Sequence, residues 1–210
     1  MSMEMVYAQT SKMTIHDAAS DGNIESVKQL LAAGADVNSI SEIGLTPLHS
    51  ATRFLDEIDI DKAKLIANRP DVINQDAGQS AQRYNRKPEF EVQIEIIKLL
   101  IDKGGDINAS TRVGSIIEDG RTPLYNAAES GRKEIVELLL EKGADINGSN
   151  TGLFGLGMRP LYSAASKAHL AIVELLIKNG ANVNASISLN NSSNTVLDWA
   201  IKHKKSKLVA

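Results

Sequence analysis

The sequence predicts an all-α solenoid, a row of stacked helix–turn–helix units joined by finger loops like β-hairpins, and three recurrences predict it. A start motif returns as Thr46-Pro47-Leu48-His49, Thr122-Pro123-Leu124-Tyr125 and Arg159-Pro160-Leu161-Tyr162. A closing motif, Gly-Ala/Gly-Asp/Asn-Val/Ile-Asn, returns at Gly34 to Asn38, Gly104 to Asn108, Gly143 to Asn147 and Gly180 to Asn184. Between the two runs an Ile/Val-Leu-Leu stripe. Self-similarity at a fixed period of roughly 20 to 50 residues signals stacked units that share one elongated core.

Each piece has a mechanical reason. Thr46 and Thr122 are suited to accept a backbone N–H bond at a helix start, and the proline that follows fits the first helical position, where no N–H is needed. Ile135-Val136 with Leu138-Leu139, and Ile172-Val173 with Leu175-Leu176, fall on one face of a second helix that a neighbouring unit must cover. Gly34, Gly104, Gly143 and Gly180 stand where a left-handed residue ends that helix, and the Asp/Asn and Asn beyond them favour a turn into the finger.

Taken together, Thr-Pro-Leu-His, Ala-Ala, Ile-Val-x-Leu-Leu and Gly-Ala-Asp-Val-Asn resemble the ankyrin-repeat consensus from about Met13 onward. The resemblance implies an elongated, curved solenoid that binds other proteins. Residues 1–12 read as a leader, disordered or frayed. A first unit at about 13–45, with His16, Ala18-Ala19 and Leu30-Leu31, acts as the N-terminal cap. The second starts at Thr46, yet its Gly104 arrives far too late for a repeat of about 33 residues. Residues 56–91 are therefore an insertion or an extra, degenerate repeat. Lys64-Leu65-Ile66 before Val72-Ile73-Asn74, Gly78 to Ala81 as a second start, and the spacing of Asn38, Asn74 and Asn108 favour units at 46–75 and 76–108. The polar run Gln82 to Pro88 speaks against a packed helix there.

Units at 109–145 and 146–182 carry lengthened fingers, Ser110 to Gly120 and Gly148 to Met158. Arg159 replaces the capping threonine and Ala168 a turn glycine, each at a cost of about 1 kcal/mol or less. A partial cap at 183–210 opens with Thr195-Val196-Leu197-Asp198, places Trp199 in its core and reaches only the start of a second helix at Lys207-Leu208-Val209. Its lysines read as a solvated outer face, with a basic contact site as the alternative.

Composition bounds the function. The net charge is −3 and no cysteine is present, which removes disulfides, thiolate nucleophiles and sulfur-rich zinc sites. No apolar run nears the roughly 18 residues of a membrane span, and no basic footprint for nucleic acid precedes the lysine tail. Cytoplasm is the expected compartment, with export as the alternative if a signal was trimmed near Val6-Tyr7-Ala8. Metal-protease, phosphate-loop and serine-elbow motifs are absent. The glycines of Gly152 to Gly157 follow no strand, and Asp56, Glu57, Asp59 and Asp61 lack the glycine and distal glutamate of a calcium loop. His16 and His49 occupy a helix-start position with a structural role. No cofactor, metal or catalytic residue is expected, and a monomer is the working expectation.

In the ankyrin family, contacts come from finger tips and from positions just after Ala-Ala. Carried over by motif position, this implies partner contacts at Ile43, Leu45, Arg53 and Phe54, then Glu118, Asp119, Arg121, Glu129 and Ser130, then Leu156, Met158, Ser166 and Lys167. The apolar finger residues Ile116, Ile117, Leu153 and Phe154 join them, as an exposed interaction patch or folded back against each other. Tyr125 and Tyr162, in place of the motif histidine, are either packed or exposed. The expected function is a protein-interaction module; the alternatives are a regulatory or targeting segment of a larger enzyme or effector, and nucleic-acid binding through the lysine tail.

Overall fold

The computed structural model describes residues 13–53, 90–111, 120–148, 159–185, 187–189, 192–196 and 198. Their helices are α1 (Ile15–Ser20), α2 (Ile24–Ala32), α3 (Pro47–Thr52), α4 (Phe90–Asp102), α5 (Pro123–Glu129), α6 (Lys133–Glu141), α7 (Pro160–Ser166) and α8 (Leu170–Lys178). A two-stranded antiparallel hairpin follows, β1 (Ile187–Leu189) paired with β2 (Ser192–Asn194). The first helices stack in the order α1, α3, α5, α7, and each pairs with a second helix of its own unit.

The start motif works as its chemistry demands. Thr46 and Thr122 accept the backbone N–H of His49 and Tyr125, with Pro47 and Pro123 opening the helices. In α1 the pair Thr14 and Asp17 forms a reciprocal capping box, and Thr195 with Asp198 repeats it after the hairpin. The bonds from Thr195 hold the Asp198 carboxyl below its ordinary range. Arg159 makes no side-chain cap bond; its Nη1 donates instead to the Asn147 carbonyl at 2.8 Å.

Each second helix closes on the glycine of the second motif. Gly143, at φ +90°, donates to Leu140 O while Ala144 donates to Leu139 O, a left-handed closure that an L-residue adopts only with strain. The chain then enters a finger, and the fingers are tied to each other by asparagine. Asn38 Oδ1 accepts from Asp106 N at 2.7 Å, Asn108 Oδ1 from Asp145 N at 2.8 Å, and Asn147 Oδ1 from Asn182 N at 2.8 Å. Beneath this ladder one apolar core runs the length of the stack, through Val27, Ile96, Ile97, Leu100, Leu124, Ile135, Leu139, Leu161, Ile172 and Leu176.

The ladder corrects one expectation. Asn38 of the first finger bonds Asp106 N and also donates to Gly104 O, and α2 packs directly on α4. No unit stands between them in the stack, so the separate units read at 46–75 and 76–108 give way to a single unit whose halves, α3 and α4, are split by an insertion. The insertion's helix-like segments, with Asn74 and Gly78 to Ala81, lie outside the described residues, as do the leader and Trp199.

Candidate partner-binding face

The fingers and the C-terminal ends of the first helices define the candidate face. At the first finger, Ser41 N donates to Leu45 O and Gly44 N to Ser41 O, a tight reversal that throws Ile43 outward at 52% exposure, with Ile40 beside it at 61%. Leu45, read as a contact residue, is buried at 7%: it forms the base of the finger and turns its side chain into the core. Ile40 escaped the sequence reading because it lies before the finger tip, although an apolar residue in a polar loop was the signal.

The next finger is built on Arg121. Thr111 N donates to Arg121 O at 3.0 Å, Arg121 N to Thr111 Oγ1 at 3.0 Å, and Gly120 N to Thr111 O at 2.9 Å, which closes the finger's base. His49, fully buried, reaches the same Arg121 carbonyl with Nε2 at 2.9 Å. Because a carbonyl only accepts, Nε2 carries the proton, and Nδ1 is left to accept from Thr46 N and Thr46 Oγ1. Burial, opposed by its hydrogen bonds to backbone and by Asp106, lowers the His49 pKa to about 4. The imidazole is therefore a neutral strut between the second and third units.

The Arg121 side chain brings two predicted contact residues together. Its Nη1 lies 2.8 Å from Glu129 Oε2, and the guanidinium carbon sits 5.0 Å from the centre of the Tyr125 ring. Tyr125 is buried, and burial, reinforced by Glu129 and opposed by Arg121, raises its hydroxyl pKa. Tyr162 is half-buried, and burial raises its pKa too. The Arg121 and Glu129 side chains are only 17% and 26% exposed, so the pair is largely withdrawn from solvent.

The other predicted residues fall along the same row. Arg53, Ser130 and Lys167 follow α3, α5 and α7 as their C-terminal caps, Lys167 exposed and the others half-buried. Ser166 turns its hydroxyl back to Ser163 O at 2.8 Å. Phe54, Ile116, Ile117, Glu118, Asp119, Leu153, Phe154, Leu156 and Met158 lie outside the described residues. His16 Nε2 meets Ser39 O at 2.9 Å, and His169 Nε2 meets Glu129 O at 3.0 Å, with its ring over Gly131. His49 and His169 thus tie neighbouring units together, while His16 ties the first helix to the first finger. Among the described residues no cluster of His, Asp and Glu suited to a metal ion occurs, and no helix is long and apolar enough to cross a membrane.

Comparison with known proteins agrees with this architecture. Residues 91–150 match a model described as ankyrin repeats (3 copies), and residues 15–61, 124–177 and 161–209 match one described as ankyrin repeats (many copies). The stretch from 62 to 90, matched by neither, falls within the insertion. A putative ankyrin repeat protein of Fowlpox virus (strain NVSL), FPV223, is 43% identical over 44 residues, which cover 21% of this chain and 31% of that relative. With its stacked helix pairs, its asparagine-laced fingers and family matches over most of its length, the chain belongs to the ankyrin-repeat family.

Proposed function

We propose that this protein is a binding module, not a catalyst, and that it holds a protein partner along its fingers and the row of first-helix C-termini. Ankyrin repeats in general serve protein–protein interaction; the surface and the partner are the specific part of the proposal. The observation that carries it is the first finger, where Ile40 and Ile43 stand exposed on a loop anchored at both ends by backbone bonds. A rigid loop that offers apolar side chains orders little on binding, so most of the burial converts to affinity. Away from the finger, the row of Arg53, Glu129, Ser130 and Lys167 at the C-terminal ends of the first helices is proposed to add polar contacts. Ile117 and Phe154, on the two lengthened fingers, are proposed to extend the apolar part. The module acts as a monomer in the cytoplasm in this reading.

The test is affinity capture from a lysate of the source organism, with wild type beside an Ile43→Asp variant and an Ile117→Ala, Phe154→Ala variant. A protein retained by wild type and lost from both variants supports the surface. Equal retention by all three refutes it.

A further inference from the structure

In three of the four described units a backbone bond closes the turn between the paired helices. Asn23 N donates to Ala18 O at 2.9 Å, Arg132 N to Ala127 O at 3.2 Å, and His169 N to Ala164 O at 2.9 Å. Counted back from the apolar stripe, Ile135-Val136 in one unit and Ile96-Ile97 in another, the position of Arg132 corresponds to Gln93; counted on from the capping threonines Thr122 and Thr46, the position of Ala127 corresponds to Ala51. In this second unit residues 53–89 fill the place of the short turn, and α4 already starts at Phe90, ahead of position 93.

The Gln93 side chain makes the bond that the backbone makes elsewhere. Its Nε2 donates to Ala51 O at 2.6 Å and, with its second proton, to Ala19 O at 3.0 Å. Both acceptors are carbonyls, so only the amide nitrogen can face them. Gln93 is buried at 1%, on the same helix face as Ile96, Ile97 and Leu100. Ala51 belongs to α3 and Ala19 to α1, so one amide clamps the ends of two first helices against α4.

We infer that Gln93 is a surrogate turn: its amide gives Ala51 O the closing bond that a backbone N–H gives in the other described units.

The test compares one substitution in two backgrounds, by urea unfolding. In the full chain, Gln93→Met keeps the volume and removes both donors, and the folding equilibrium constant is expected to fall between about 10- and 100-fold, as for two lost bonds to buried carbonyls. In a spliced chain, residues 54–92 are replaced by Ser-Gly, so that the N–H of residue 93 falls where that of Arg132 falls in the third unit. There the backbone closure to Ala51 O returns, the chain folds cooperatively, and Gln93→Met removes only the donor to Ala19 O, a loss of about 3- to 10-fold that is clearly smaller than in the full chain. Equal losses in both backgrounds, no loss in the full chain, or a spliced chain that does not fold would each overturn the inference.

Discussion

Acidification removes a defined part of this protein's stability through one imidazole. His49 has no solvent exposure, donates from Nε2 to Arg121 O and accepts at Nδ1 from Thr46. A proton on Nδ1 would face the Thr46 N–H, a donor against a donor, in a site that water does not reach. Burial, which denies the charged ring its water, is the main reason that the folded pKa is about 4, against 6.5 for a free histidine. Above about pH 6.5 the ring is neutral in both folded and unfolded chains and the full stability is present. Between 6.5 and about 4 the unfolded chain binds the proton that the folded chain refuses, so stability falls as pH falls, by at most about 1.4 kcal/mol per pH unit. Below about 4 both states are protonated and this loss stops. Over the whole window the difference amounts to roughly 3 kcal/mol, a large share of a typical domain's stability. The assay is urea unfolding at a series of pH values from about 7.5 to 4, for wild type and His49→Gln. The variant starts less stable at neutral pH, having lost the buried bond, and the gap closes on acidification because only wild type carries this titration. Parallel curves for the two proteins would refute the argument.

Three further outcomes are expected from the backbone and the fingers. Ala168 sits at φ +60° in the turn before α8, so Ala168→Gly relieves left-handed strain and raises stability by about 0.5–1 kcal/mol, readable as a higher Tm. Gly131→Ala has the opposite sign: φ is +71° there and a Cβ would lie 2.6 Å from the His169 ring, so a loss above about 1 kcal/mol is expected in thermal melts, with His169→Ala recovering the part due to the clash. Asn108→Ala leaves Asp145 N without its acceptor between the third and second fingers and is expected to cost about 1 kcal/mol in urea unfolding, whereas Glu141→Ala on the exposed face of α6 stays within about 0.5 kcal/mol.

Most of the fold was legible because the repeat writes its own punctuation. Thr46 and Thr122 cap, Pro47 and Pro123 open, and Gly34, Gly104, Gly143 and Gly180 close; these are local preferences that the chain meets without tertiary help. The insertion misled for a related reason. Asn38, Asn74 and Asn108 are spaced as successive fingers would be, but spacing along the chain does not say which finger lies beside which, and Asn38 reaches Asp106 directly. The face was legible in part. Ile43 and Lys167 are exposed, yet Leu45 is buried at the finger base, and Arg121 and Glu129 form an ion pair with each other. Gln93 left one trace in the sequence, a polar residue in register with Ile96, Ile97 and Leu100. The carbonyls it serves, Ala19 and Ala51, are distant along the chain, and that pairing exists only in three dimensions.

The asparagine ladder also makes the protein its own recorder. Each rung puts the amide proton of one finger, at Asp106, Asp145 or Asn182, on a side chain of the finger before it. Such a proton exchanges with deuterium only when that single boundary opens, so the three amides act as separate gauges of three joints. Slowest exchange at Asp145 would mark a stack that frays from both ends; a steady gradient from Asp106 to Asn182 would mark one that unzips from one end. A partner laid across the fingers would slow all three together, and one resting on a single finger would slow only its nearest gauge.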